Sequence, residues 1–440
     1  MFSTATTVLR PGDEGYEGEL AGFQTGFTRR PDLVVAARDA EDVRAAVAYA
    51  AAHGLPVRAQ ATGHGTPGPV AGGVLVSTRR MDGVAVDAAA RTARVAAGAR
   101  WGQVVAAAAG HGLAPLNGSA PGVGAVSYTL GGGLGILARE FGYAADHVRS
   151  LEIVTADAGL RNVTAGSDPE LFWALCGGGH GFGVVTAMEI DLVPVARLYG
   201  GSLVFDGDLV DRALEVWLRW TAGLPDQVTS SAALVRFPDL PVVPEPMRGR
   251  YTVSVRVAFT GDAEEGGRLV APLREIGPAL ADSLRDMPYA ESHTIHSDPD
   301  FPHAYYGDSA MLGGLDAGRA REVVRLTGPD APVMSVVQIN HLGGATAKEQ
   351  RNAVPFRSAR YLLRVLNPLG RDTQAGVVEA LHARVFQVLE PLTLGRSVNF
   401  AFGCGSRTRG LHEPGTHKRL AGLRSAYDPA SLFRDRDDRD

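Results

Sequence analysis

The sequence predicts a mixed α+β fold built in two differently composed parts. Three observations lead there. Short strand-like and helix-like stretches alternate along the chain up to about Tyr199. Glycine clusters crowd that same stretch. Beyond it the clusters thin out and longer amphipathic helices take over.

Taken in order, the first helix opens at Asp39, a capping residue. Val43, Ala46, Val47 and Ala50 then fall on one face, and Gly54 stops it. Strands are predicted over 55–60, 74–77 and 92–97, and a helix over 101–110. The segment 117–135 reads NGSAPGVGAVSYTLGGGLG and holds seven glycines between apolar flanks, which suits a buried, tightly folded backbone better than a linker. A second glycine run, 177–183, precedes a strand over 184–192. After Tyr199, helices are predicted over 209–223, 263–276, 318–327 and 372–389, and strands over 252–259 and 333–342. The proline-rich stretch 237–246 reads as a loop at a sheet edge or domain surface.

Bulk composition narrows the function. A chain of 440 residues with 45% hydrophobic and 21% charged residues suits a globular enzyme. A net charge of −5 without a basic run speaks against nucleic acid or an anionic membrane as partner. Two cysteines, Cys176 and Cys404, do not make a disulfide framework or a zinc site, so no metal is expected. No apolar run approaches a membrane span and residues 1–13 lack a signal-peptide core, so a cytoplasmic location is the expectation. Lysine occurs only at 348 and 418 among many arginines, as in GC-rich bacterial coding. The alternating charges of 434–440 read as a solvated tail.

Gly63, Gly65 and Gly68 match a G-x-G-x-x-G dinucleotide pattern. That pattern needs a helix directly afterwards, and Pro67 and Pro69 forbid one, so the Rossmann reading is rejected. Glycine turns still bind phosphate when successive N–H groups form an anion nest. The two loops 58–65 and 118–135 have the composition to grip a pyrophosphate from two sides. The alternative is that their glycines serve only tight turns. His64, flanked by glycines, lies on neither a helix face nor a strand. It is either an ordinary loop histidine or a nucleophile.

The string Val57-Arg58-Ala59-Gln60-Ala61-Thr62-Gly63-His64-Gly65 is similar to the flavin-linking loop of berberine-bridge-enzyme-like FAD oxidases, within the wider vanillyl-alcohol-oxidase or p-cresol-methylhydroxylase (PCMH) type. The resemblance continues in order. It takes in Arg30-Pro31-Asp32-Leu33-Val34-Val35, then Thr129-Leu130-Gly131-Gly132-Gly133-Leu134-Gly135 with Arg139, Phe141-Gly142 and Asp146. Glu152-Ile153-Val154-Thr155-Ala156-Asp157, Asp168-Pro169-Glu170-Leu171-Phe172-Trp173-Ala174 and Phe182-Gly183-Val184-Val185-Thr186 follow. Val398-Asn399-Phe400 and Tyr427-Asp428-Pro429 with Leu432-Phe433 close it.

This resemblance implies a two-part FAD-binding domain, 1–195 and 396–434. Inserted between them, 196–395 would form a substrate domain of antiparallel sheet backed by helices, leaving 435–440 as the tail. The sheet would roof the flavin ring. It implies FAD contacts from Arg58, Ala59, Gln60, Ala61, Thr62, Gly63, His64 and Gly65. The second loop would add Gly118, Pro121, Gly122, Val123, Gly124, Tyr128, Gly131, Gly132, Gly133 and Gly135. Asp146, Ile153, Gly183, Val185 and Asn399 complete the set. His64 would hold the flavin 8α-methyl covalently, which raises the flavin potential. Some members add a cysteinyl bond. That position is Ala120 here, so a single attachment is expected. Val123 falls on the family's oxygen gate and is consistent with O2 as electron acceptor.

Two departures matter. The family usually has an arginine before the glycine run at 177–183 and an asparagine within it; here stand Cys176 and Gly181. Family oxidases commonly place a tyrosine base two residues before the closing asparagine. Here that residue is Ser397, a poor base. A base would then come from Tyr305, Tyr306, His303, Gln338, Asn340 or His341, with Gln338 and Asn340 alternating on one strand. The expected function is oxidation of a small aromatic or polycyclic natural product by a monomer or homodimer, with O2 as partner. Alternatives are a flavoprotein reoxidising a reduced quinone drug (mitomycin-type resistance), a carbohydrate oxidase, and a drug-binding flavoprotein without catalysis.

Overall fold

The computed structural model describes residues 2, 6–66, 68–370, 373–402 and 409–433. Cys404, Asp372 and the tail 435–440 lie outside them.

A four-stranded sheet comes first, in the order Thr7–Leu9, Leu33–Ala36, Val74–Ser77, Val57–Gln60. The last three run parallel, and Thr7–Leu9 is antiparallel to its neighbour. Helix Ala40–His53 covers this sheet. The Asp39 carboxylate accepts from Asp42 N at 3.0 Å, and Gly54 ends the helix at φ 63°. Val43, Ala46, Val47 and Ala50 pack against Leu33, Val35 and Val76.

An antiparallel five-stranded sheet follows, in the order Leu160–Thr164, Val148–Val154, Val184–Asp191, Thr92–Ala96, Val84–Asp87. Helix Trp101–Ala109 and helix Pro169–Leu175 share its core with the glycine-rich stretch around Ala125.

The third sheet is antiparallel and the largest. Its central order is Arg197–Asp206, Tyr251–Phe259, Val228–Arg236, Val336–His341, Tyr361–Pro368, Tyr305–Leu312. Helices Val210–Thr221, Ala263–Arg274, Ala317–Thr327 and Ala375–Leu389 pack on one face. There Trp217, Val270, Val323 and Val385 meet Val255, Leu234, Ile339 and Leu363. The other face turns to the glycine-rich loops, where Met311, Leu342 and Leu362 meet Leu134 and Phe400. The proline-rich loop is surface-exposed, at the turn of a hairpin between two interior strands rather than at an edge.

The closing helix Pro414–Tyr427 returns to the first half. Leu420 is buried in the core with Leu171 and Ala174, and Tyr427 Oη donates to Asp168 at 2.6 Å. Val57 N donates to Leu432 O at 2.7 Å, so the end of the chain pairs with the strand that leads into the His64 loop.

Candidate active site

The strand Val57–Gln60 delivers the first glycine loop. Gly63 sits at φ 70°, and a Cβ there would stand 2.9 Å from Gly22 Cα. Only glycine meets both conditions without strain. Phe23 N and Gln24 N donate to Thr62 O and Gly63 O at 2.9 and 3.0 Å, which fixes the turn. The His64 ring then lies flat on Phe23, centroids 3.9 Å apart and planes 10° apart. Its Nδ1 meets Thr62 Oγ1 at 2.9 Å. Burial, with Arg100 and His303 nearby, pushes the imidazole pKa down to about 4. His64 is therefore a neutral imidazole near pH 7, as a nitrogen nucleophile must be.

The second loop meets the first. Gly124 N donates to Thr62 Oγ1 at 3.3 Å, and a Cβ on Gly122 would touch the His64 ring at 3.5 Å. Pro121 O and Val123 O accept from Gly102 N and Trp101 N, tying this loop to the start of helix Trp101–Ala109. Val123 packs in part against the main core. Gly118 and Gly133 press on the Tyr128 ring, whose Oη is buried without a hydrogen-bond partner. Burial pushes that hydroxyl far above its ordinary range, so it stays protonated. Asn399 closes the loop from the far end of the sequence: Oδ1 accepts from Gly133 N at 3.0 Å and Nδ2 donates to Tyr128 O at 3.1 Å. Ile153 and Val185 face each other in the five-stranded sheet, and Gly183 approaches Val154 O too closely for any Cβ. Asp146 is engaged in a little-exposed ion pair with Arg357 at 2.5 Å and accepts from Asn352. At the 177–183 run, Arg424 of the closing helix donates to Gly178 O and His180 O, placing an arginine beside a run that Cys176 precedes.

The third sheet divides the candidate base residues between its two faces. Tyr305, Gln338 and Asn340 face the loops; Tyr306 and His341 do not. Tyr306 lies edge-on to His382 under helix Ala375–Leu389. His341 accepts from buried Arg139 at 3.3 Å, and burial with Arg139 and Arg360 lowers its pKa to about 3. Tyr305 Oη donates to His64 O in a short hydrogen bond, and burial raises its pKa. His303 lies edge-on to Phe23, 5.3 Å between centroids. Ser397 N donates to Ser309 Oγ at 3.1 Å.

The sequence reading missed two arginines on the same face. Gln338 Oε1 accepts from Arg256 at 3.1 Å and from Arg364 at 2.5 Å, while Gln338 Nε2 donates to Asn340 at 3.3 Å. The available signal was a lone arginine inside each of two otherwise uncharged strands, YTVSVRVAF and YLLRVLNP. Among the described residues no group of three or more His, Cys, Asp or Glu is placed to hold a metal, and no helix is long and apolar enough to cross a membrane.

Comparison with known proteins decides what this site belongs to. Residues 31–164 match the family described as FAD binding domain. The chain is 29% identical to (R)-6-hydroxynicotine oxidase of Paenarthrobacter nicotinovorans over 66% of its length, a match spanning 63% of that protein. It is 25% identical to the FAD-linked oxidoreductase YgaK of Bacillus subtilis (strain 168), over 96% of this chain and 94% of that one. Physcomitrella patens BBE-like 1 superposes with TM-score 0.84 at 17% identity, covering 98% and 96% of the two chains. Xylooligosaccharide oxidase from Myceliophthora thermophila C1, in complex with xylobiose, gives 0.83 at 19%, again over 98% and 96%.

The chain is an FAD-linked oxidoreductase, and its fold is the one seen in the BBE-like enzyme. This flavoenzyme has the expected PCMH-type fold with a large antiparallel sheet backed by helices. Its residues fit the cofactor: two glycine loops converge on a neutral imidazole, and Tyr128 brings an unpartnered buried hydroxyl to the second loop.

Proposed function

We propose that this flavoenzyme oxidises a small aromatic or polycyclic substrate and passes the electrons to O2, with FAD attached through His64 alone. FAD, when bound, supplies a hydride acceptor at N5 and the means to reduce O2 to H2O2. The loops 58–65 and 118–135 would hold its pyrophosphate through backbone N–H groups, and Asn399 would keep the second loop in shape. Attachment would replace one N–H of His64 and one C–H of the 8α-methyl by a single N–C bond, with two protons and two electrons passing to O2. A neutral, oriented His64 supports this reading. Ala120 leaves no thiol for a second bond. Val123 at the resemblance-implied gate supports O2 as acceptor.

The observation that carries the substrate class is the state of the candidate bases. Ser397 stands where a tyrosine would act. Tyr305 keeps its proton in a bond to His64 O, and Gln338 is held by two guanidiniums. A positioned base is worth about 10²–10⁴-fold, and a phenol or hydroquinone, already acidic and electron-rich, loses least without one. The same observation favours a second reading, reoxidation of a reduced quinone drug.

The test has two parts. Wild-type protein precipitated in acid should retain flavin, and His64→Ala should release it; retention by the variant sinks the attachment site. Anaerobic mixing with hydroquinones, phenols, alcohols and sugars should bleach the flavin fastest with the phenolic compounds. Fast bleaching by sugars alone would move the assignment to carbohydrate oxidation. Bleaching by none would favour a binding role.

A further inference from the structure

The loop-facing side of the third sheet carries more positive charge than the protein itself matches. Arg256 and Arg364 stand on strands Tyr251–Phe259 and Tyr361–Pro368, with Gln338 on a strand between them. A neutral amide oxygen accepts from both guanidiniums. Arg256 gives one further hydrogen bond, to His296 O at 3.4 Å, and Arg364 lies over the Phe400 ring at 4.5 Å. Among the described residues no carboxylate comes within ion-pair distance of either arginine. The acid that acts on both is Asp298. Its carboxylate accepts a short hydrogen bond from Ser119 and feels both arginines only through space. Burial and the two arginines push the His296 pKa down against the pull of Asp298, favouring its neutral form. Two cations thus face one anion. Burial and Arg364 lower the Arg256 pKa to about 10, against the pull of Asp298.

Half-buried guanidiniums are costly when left unpaired. Their planar forks match a carboxylate, which accepts two parallel N–H bonds. Gln338, oriented by Asn340, holds the two forks side by side, and Phe400 backs one of them. We infer that Arg256, Gln338 and Arg364 form a subsite for a carboxylate carried by an aromatic substrate. This deepens the oxidation proposed above and rests on it. A carboxylate anchored on the sheet orients the ring without taking part in proton transfer, so it supplies binding that Ser397 cannot.

The probes are benzoate and its neutral counterparts benzamide and benzyl alcohol, added to the holoprotein and read by flavin absorbance changes and by calorimetry. Benzoate should bind at least about tenfold tighter than either neutral probe, about 1.4 kcal/mol. Arg364→Gln and Arg256→Gln should each abolish that preference while retaining acid-stable flavin and near wild-type melting. Equal binding of the three probes overturns the subsite. So does a change in flavin content or reduction potential in the variants with benzoate binding intact, since the arginines would then serve the cofactor. Bleaching by neutral hydroquinones alongside equal probe binding would leave the oxidation reading standing without the subsite.

Discussion

At His382 the helix Ala375–Leu389 presses an imidazole between Asn367, Tyr306 and Phe386. Nε2 reaches Asn367 Oδ1 at 2.7 Å, and Nδ1 is buried without a partner. Burial lowers the pKa to about 4, against an ordinary 6.5. The unfolded chain therefore binds this proton first as pH falls. The stability that neutral His382 contributes is complete above pH 6.5 and drains away toward about pH 4, by on the order of 3 kcal/mol. Urea midpoints measured at pH 7 and pH 5 should draw closer together in His382→Gln, which keeps a donor for Asn367. An unchanged gap would assign the pH dependence to other groups. His382 was illegible in the sequence because a histidine's burial depends on partners far along the chain. His64 was legible because glycines on both sides mark a local conformation. Arg256 and Arg364 were legible only as oddities, since what faces them follows from strand pairing.

Among the elements, the amphipathic helices declared themselves, while helices Pro169–Leu175 and Pro414–Tyr427 and several strands did not. Helix Ala40–His53 begins at its capping aspartate and stops at its glycine because both signals are local. The strands Arg197–Asp206, Val228–Arg236, Tyr305–Leu312 and Tyr361–Pro368 escaped the sequence reading. They lie in a sheet covered on both faces, by helices on one and glycine loops on the other, so the alternation that identifies a half-exposed strand is blurred. The energetic weight lies on the helical side. Trp217 is fully buried there, and its Nε1 donates to Ser230 Oγ at 2.9 Å. Trp217→Ala should cost about 3–5 kcal/mol in equilibrium unfolding. Because the site lies across the sheet, flavin bound to the folded fraction should keep its absorbance spectrum.

Across the whole molecule, the first and last segments depend on each other. Leu420 fills the core beneath the 177–183 run, and Leu432 O receives Val57 N at the root of the His64 loop. Leu420→Ala should destabilise by about 2–5 kcal/mol and lower flavin content as well, because the strand feeding His64 loosens with it. Normal flavin loading at reduced melting temperature would show the two effects to be separable. Local patterning could not reveal this closure, since the contacting residues are hundreds of positions apart in sequence. Family order alone suggested it.

Tyr305 has a consequence for traffic. Its hydroxyl donates to His64 O, and Gln24 clasps its backbone from both sides, Nε2 to Tyr305 O at 2.8 Å and Oε1 from Tyr305 N at 3.3 Å. The crevice between sheet and loops is thereby sewn shut along the edge where the cofactor would be anchored. Whatever reaches the site must come in away from that edge.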